Sequence, residues 1–203
     1  MGELETALDY ALGHEGWYSN NPKDPGGETW RGIARRHWPN WAGWARIDVA
    51  KSQPNFPASL RQDSVLNTLV LAFYRENFWN TLYNDISNQA VATRLFDFGV
   101  NVSPNIATRA IQESANTIAS SGLRVDGKFG TGTLRAVNAI EPESLIKEFR
   151  ARKTVYYAAV GIRRLLKSLK DGGWLRAVPK AAIERAVDYA TTFMLGWMRR
   201  AMS

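Results

Sequence analysis

Residues 14–33 read HEGWYSNNPKDPGGETWRGI, and this stretch decides how the first part of the chain folds. Between Gly16 and Thr29 the chain is rich in glycine, proline and asparagine, a composition that ends helices and builds turns or a short hairpin. Just before it, apolar residues recur with the three-to-four-residue period of a helix that has one buried stripe, at Leu4, Ala7, Leu8, Ala11 and Leu12. The sequence therefore predicts a short helix followed by a shaped loop or hairpin.

The rest of the chain is predicted to be largely helical. The stretch from Trp38 to Pro57 is rich in tryptophan and proline and is predicted to be mostly irregular. Further helices are predicted at residues 59–79, 88–98, 104–119, 131–139, 142–168 and 180–201. Since strand alternation is confined to the Gly16–Ile33 stretch, the predicted fold class is mainly α.

The charge pattern divides the chain into two regions. The chain of 203 residues carries a formal net charge of +7. Residues 1–100 hold 9 basic and 11 acidic side chains, whereas residues 101–203 hold 17 and 8, so the second region alone is about +9. We therefore predict a boundary near residue 100, with the regions 1–100 and 101–203 packed together as one compact unit. The basic region suits a polyanionic partner such as nucleic acid, anionic lipid or bacterial wall.

Several chemistries are excluded or unsupported. The chain has no cysteine, so disulfides and thiolate metal sites are excluded. His14-Glu15 does not begin a His-Glu-x-x-His zinc motif because residue 18 is tyrosine. Neither a phosphate-binding loop nor a nucleophile elbow is present. No metal or other cofactor is expected. The sequence also predicts no transmembrane segment and no secretory signal.

Two acidic residues have the features of a glycosidase pair. Glycoside cleavage needs a protonated carboxylic acid and usually a second carboxylate that stays ionised. Glu15 continues the apolar stripe of the first helix if that helix extends so far, and desolvation would then raise its pKa. Asp24 lies in a polar turn, and Thr29 supplies a hydroxyl that could position water or brace Asp24. Taken alone, a capping role for Glu15 and a turn-forming role for Asp24 explain the same residues.

The run 14–33 resembles the signature of glycoside hydrolase family 108, a group of bacterial and phage N-acetylmuramidases. That family typically reads Glu-Gly-Gly-Tyr, Asn-Asp-Pro, Asp-Pro-Gly-Gly, Thr and Gly-Ile, and here Trp17 and Asn21 replace the second glycine and the first aspartate. The resemblance covers residues 3–165 approximately. Residues 73–79 and 95–101 resemble helical core segments of the family. Residues 110–112 and 125–134 resemble its C-terminal peptidoglycan-binding region.

The resemblance implies a lysozyme-like helical fold, with a catalytic region at 1–100 and a basic, helical, peptidoglycan-binding region at 101–203. It also implies a catalytic role for Glu15, with Asp24 and Thr29 completing a triad like that of phage-type lysozymes. Tyr18 and Trp30 lie inside the signature and are predicted to bind substrate, because aromatic faces stack on sugars.

Three residues outside the signature complete the predicted substrate-binding set. Asn101 and Gln112 carry the amide groups that N-acetyl sugars need, although either side chain could instead tie helices together. The turn at Asp126 could present backbone donors to a carboxylate, or it could be purely structural.

The predicted function is hydrolysis of the β-1,4 bond between N-acetylmuramic acid and N-acetylglucosamine, with Glu15 as general acid. A lytic transglycosylase, or a non-catalytic protein that binds cell wall or nucleic acid, remains the alternative. The expected partner is bacterial peptidoglycan, and nucleic acid is not expected. The resemblance and the amino terminus together predict a phage endolysin, held in the host cytoplasm until a holin releases it to the periplasm or wall. An otherwise exported bacterial protein fits as well.

Overall fold

A computed structural model describes residues 1–13, 16–21, 27–173 and 177–201. The chain divides into two compact units, Met1–Ala107 and Thr108–Ser203. Helices dominate the described residues, and their strands form one small sheet after the first helix. The predicted mainly α class with a hairpin after the first helix is therefore confirmed. No helix in the described ranges is long and apolar enough to cross a membrane.

The first unit is built on four α-helices. These are α1 (Leu4–Leu12), α2 (Gly43–Ala50), α3 (Ser64–Asn77) and α4 (Gln89–Asn101), with short 3₁₀ helices at Ala58–Gln62 and Thr81–Asp85. Helix α1 packs against α4 and α3, and α2 packs against α3. The apolar stripe of α1 accounts for this arrangement, because Leu4, Ala7, Leu8 and Leu12 are all buried.

The ends of the unit's longer helices are set by side-chain caps. The Asp63 carboxylate accepts a hydrogen bond from the Leu66 N–H at 2.9 Å and so begins α3. Asn88 caps α4 in the same way through the Val91 N–H. Each cap satisfies a backbone donor that has no partner within the helix.

The sheet has three antiparallel strands in the order β1 (Tyr18–Asn20), β2 (Glu28–Trp30) and β3 (Ile33–Ala34). Tyr18 pairs with Trp30, and Trp30 pairs with Ile33 across a two-residue turn. Both turn residues, Arg31 and Gly32, have positive φ angles, of 42° and 77°. This is the backbone that a tight type I′ hairpin requires.

The second unit is helical. Helix α5 (Pro104–Ala119) starts in the first unit and continues into the second, where α6 (Thr131–Ala139), α7 (Pro142–Asp171) and α8 (Lys180–Ala201) follow. Helices α7 and α8 pack against each other. Glu141 caps α7 by accepting hydrogen bonds from the N–H groups of Glu143 and Ser144. The bounds predicted for α5, α6 and α8 are confirmed.

Three local predictions need correction. The stretch from Trp38 to Pro57 contains helix α2, because Trp44, Ile47 and Ala50 recur every three residues and are buried. The single helix predicted at 59–79 is a 3₁₀ turn followed by α3, since Asp63 is extended and starts a new helix. Helix α1 ends at Leu12. The condition under which Glu15 would continue its buried stripe is therefore not met, and Glu15 itself lies outside the described residues.

Candidate active site

The two predicted carboxylates, Glu15 and Asp24, lie outside the described residues. The structure describes the helix and the strands that flank these two residues in the sequence. Helix α1 ends at Leu12, and strand β1 begins at Tyr18. The chain leaves the sheet after Asn20 and returns at Glu28, and these two residues are paired across β1 and β2.

A small cleft of about 160 Å³ lies at the end of α1. Residues on both sides of position 15 in the sequence contribute to it, and so does the turn between β2 and β3. Its walls are formed by Asp9, Leu12, Gly13, Gly16, Trp17 and Arg31. The first unit therefore has a concave surface beside the segment that bears Glu15.

Thr29 occupies the middle of β2 and is paired with Ser19 and Ala34 in the neighbouring strands. Its hydroxyl donates a hydrogen bond to the Gly27 carbonyl at 3.2 Å. The hydroxyl thus braces the point at which the chain re-enters the sheet from the loop that carries Asp24. Its predicted catalytic role stays a prediction.

Tyr18 is held by a carboxylate that the sequence analysis did not single out. Its hydroxyl donates to Glu28 Oε1 at 3.0 Å, and its ring packs edge-on against Phe56, with the centroids 4.8 Å apart. Burial raises the pKa of Tyr18, and the adjacent Glu28 carboxylate raises it further. Tyr18 is therefore a neutral hydrogen-bond donor inside the hairpin, and its predicted contact with substrate stays a prediction.

Glu28 is the centre of a cluster of charges beneath the hairpin. Its side chain is 10% exposed and contacts Arg35 Nε and Lys51 Nζ, each at 2.8 Å. Both cations also contact Asp48, which receives two hydrogen bonds from the Arg35 guanidinium. The hydrogen bonds from Arg35 and then Lys51 lower the pKa of Asp48 from 3.8 to about 2. This cluster ties β2 to α2, which places a rigid support under the strand that follows the Asp24 loop.

No sequence signal pointed to this cluster. Glu28 and Lys51 come from different elements and are 23 positions apart in the sequence. Opposite charges so far apart become partners only when the hairpin packs against α2. The nearest available signal was the i,i+3 pair Asp48 and Lys51 on one helix face.

Trp30 is completely buried, with 0% of its surface exposed. Its ring packs near Trp17 and Tyr18, with centroid distances of 6.1 and 6.3 Å. Its indole N–H has no hydrogen-bond partner among the described residues. In this structure the ring fills the core of the hairpin, so a stacking contact with sugar would require the hairpin to open.

Asn101 lies at the C-terminal end of α4 and is exposed. Its side-chain amide donates to the Asp97 carbonyl at 2.8 Å and contacts the Asp97 carboxylate at 3.3 Å. The described bonds of the side chain are therefore local to its own helix. Its predicted role in substrate binding stays a prediction.

Gln112 and Asp126 meet in the second unit. Gln112 is 2% exposed, and its amide donates to the Asp126 carboxylate and the Thr133 hydroxyl, at 3.0 and 3.1 Å. Its amide oxygen accepts from the Gly127 N–H. The backbone N–H of Lys128 and then Gln112 lower the pKa of Asp126. The two predicted residues are thus brought together, but as the tie between α5 and the turn before α6.

The comparisons with known proteins agree with this arrangement. Residues 8–102 match the family model described as "Glycosyl hydrolase 108", and residues 106–202 match one described as "Predicted Peptidoglycan domain". A solved structure described as "Structure of Brucella abortus SagA" shares the fold, with a TM-score of 0.54 and 24% sequence identity over 94% of this chain and 95% of that chain. No curated protein matches the chain.

The two matched segments together span nearly the whole chain, and the first contains the cleft, the hairpin and the segments that bear Glu15 and Asp24. A glycoside hydrolase region thus precedes a region that binds peptidoglycan. Residues 8–102 are therefore a glycosyl hydrolase 108 domain, and the protein is a peptidoglycan hydrolase.

Proposed function

We propose that the protein is an N-acetylmuramidase that hydrolyses the β-1,4 bond between N-acetylmuramic acid and N-acetylglucosamine. The observation that carries the proposal is the position of the cleft. Gly13 and Gly16, the described residues that flank Glu15 in the sequence, both line it. We infer from these two neighbours that the Glu15 carboxylic acid acts on a glycosidic oxygen bound in the cleft.

In this mechanism Glu15 protonates the leaving oxygen as the glycosidic bond breaks. Asp24 stabilises the positive charge that develops on the sugar ring, or it holds the water that completes hydrolysis. The support for Asp24 is indirect: its loop starts and ends at the paired residues Asn20 and Glu28. Thr29 and the Glu28 cluster keep that end of the loop in place.

The test compares Glu15→Gln with the parent protein in a turbidity assay on purified peptidoglycan. General acid catalysis contributes about 100-fold to 10,000-fold, so the folded variant should lose at least about 100-fold in rate. Glu5→Gln is the matched control, because Glu5 is an exposed glutamate on α1, away from the cleft. Lysis by Glu15→Gln at the parental rate would place the active site elsewhere.

The products identify the bond and the reaction class. Mass spectrometry of the digest should show fragments with a reducing N-acetylmuramic acid end. Anhydro-muramic ends would instead identify a lytic transglycosylase, and reducing N-acetylglucosamine ends would identify a glucosaminidase. Release from the host cytoplasm as a phage endolysin is a separate prediction, tested by host lysis with and without a co-expressed holin.

A further inference from the structure

Two arginines approach one tryptophan ring at the cleft. The guanidinium carbon of Arg31 lies 4.4 Å from the ring centroid of Trp17, and that of Arg61 lies 5.9 Å from it. Trp17 and Arg31 both line the cleft. The aromatic ring stabilises the two cations, and so a positively charged surface is held beside the segment that bears Glu15.

The guanidinium of Arg31 has hydrogen-bonding capacity that its described contacts do not use. Its side chain is only 17% exposed, yet the one ion pair that it forms with a described residue is with Asp9, at 3.9 Å, and the Asp9 side chain is 82% exposed. A guanidinium carries five N–H donors in a fixed fork that matches a carboxylate. A partly buried cation with so weak a partner is suited to binding an anion from outside the protein.

The backbone holds Arg31 in an unfavourable conformation at this position. Its φ angle is +42°, a region that glycine and asparagine enter more easily than arginine. The turn is fixed by hydrogen bonds from the Tyr74 hydroxyl to the Arg31 carbonyl at 2.8 Å and from the Arg31 N–H to the Trp17 carbonyl at 2.9 Å. An arginine kept in a strained turn and aimed at a cleft indicates a functional requirement for its side chain.

Charge distribution points to the kind of ligand. Residues 1–100 carry two more acidic than basic side chains, so a paired-arginine surface is a local exception in this part of the chain.

We propose that Trp17, Arg31 and Arg61 form a subsite that binds a carboxylate of the glycan strand during cleavage. This inference rests on the proposed function. The carboxylate comes from the lactyl group of a muramic acid without its peptide, or from the stem peptide.

The test measures binding by titration calorimetry with the full-length Glu15→Gln protein. The ligands are glycan oligomers stripped of peptides, oligomers with intact stem peptides, and both forms with their carboxylates converted to methylamides. We expect the acid form to bind about tenfold more tightly than its amide, because a charge-assisted, bidentate contact is lost on amidation. Tighter binding of the acid form than of the amide among the stripped oligomers identifies the lactyl group as the source of the carboxylate. The same difference seen only among the intact oligomers identifies the stem peptide as the source.

Three variants in the same background decide whether the arginines are responsible. Arg31→Asn suits the positive φ angle, so it should fold normally and abolish the acid-over-amide preference. Arg61→Gln changes an exposed side chain and should reduce the preference. Arg75→Gln, which removes an exposed charge elsewhere in the unit, should leave it unchanged.

Equal affinity for acid and amide, or a preference that survives in folded Arg31→Asn, would overturn the inference. Failure of the proposed function gives a different result, because it would appear as cleavage of the oligomers by the Glu15→Gln protein itself.

Discussion

At the scale of single residues, Glu28 is the centre of the charges beside the hairpin, although the sequence did not single it out. Its carboxylate contacts two cations and the Tyr18 hydroxyl, and it is 10% exposed. A carboxylate surrounded in this way joins the hairpin to α2. Glu28 therefore supports the strand that it lies on.

We expect Glu28→Gln to lower the free energy of unfolding by about 1–3 kcal/mol, because two partly buried cations lose a charged partner. Urea denaturation followed by circular dichroism measures the change. Asp48→Asn is the matched control in the same cluster and should cost less, since the Asp48 side chain is 47% exposed. Equal stability of Glu28→Gln and the parent would show that the cluster does not support the hairpin.

The Asp48→Asn variant should have a defined pH dependence. The pKa of folded Asp48 is about 2 and its ordinary value is 3.8, so its ionised form stabilises the folded state above 3.8. That contribution is lost as the pH falls from 3.8 towards 2. The stability difference between the parent and Asp48→Asn should therefore shrink over this interval. A difference that stays constant down to pH 2 would show that the charge of Asp48 is not involved.

At the scale of elements, a buried amide on α5, that of Gln112, helps to hold the turn before α6, together with Arg109 and Asn116 on the same helix. Gln112 bonds to four positions of the following turn and helix, Asp126, Gly127, Lys128 and Thr133. Since the side chain uses both ends of its amide within the protein, a structural role explains all of its described bonds.

Gln112→Leu should lower the free energy of unfolding by about 1–3 kcal/mol, because the Gly127 N–H and the Asp126 carboxylate lose a buried partner. Thermal unfolding measures this loss. Asn101→Ala, an exposed residue also predicted to bind substrate, should change stability by less than about 0.5 kcal/mol. A Gln112→Leu protein that keeps its stability but loses affinity for peptidoglycan would assign Gln112 to substrate binding instead.

At the scale of the whole molecule, the two regions differ in charge. Residues 101–203 carry about +9, and the regions matched to the two family models meet near the point where the charge changes. A basic region joined to a glycosidase region would hold the enzyme on an anionic wall between cleavage events. Such binding is screened by salt.

Removing two exposed charges from α7 should weaken retention on peptidoglycan sacculi at low salt. We expect a loss of about threefold for Arg164→Gln combined with Lys167→Gln, vanishing at about 1 M salt, where the Debye length is about 3 Å. Co-sedimentation at several salt concentrations measures it. The charge-preserving exchange Arg164→Lys with Lys167→Arg is the control. Parental retention that does not depend on salt would contradict an electrostatic contribution.

The sequence alone predicted the helical class, the hairpin after the first helix and the bounds of α5, α6 and α8. These features depend on local periodicity and on turn-forming residues, which can be read without knowing what packs against them. The signature at 14–33 was also sufficient for the family, since it is a continuous run of residues. The choice of Glu15 and Asp24 came from the same run and awaits the mutational test.

Only the tertiary structure decided what the intervening side chains contact. The Glu28–Lys51 pair, the burial of Trp30 and the bonds of Gln112 join residues that are distant in sequence or depend on the approach of two elements. Spacing shows which face of an element a residue occupies. It does not show which element will cover that face, and this covering determines which side chains are buried and which form ion pairs.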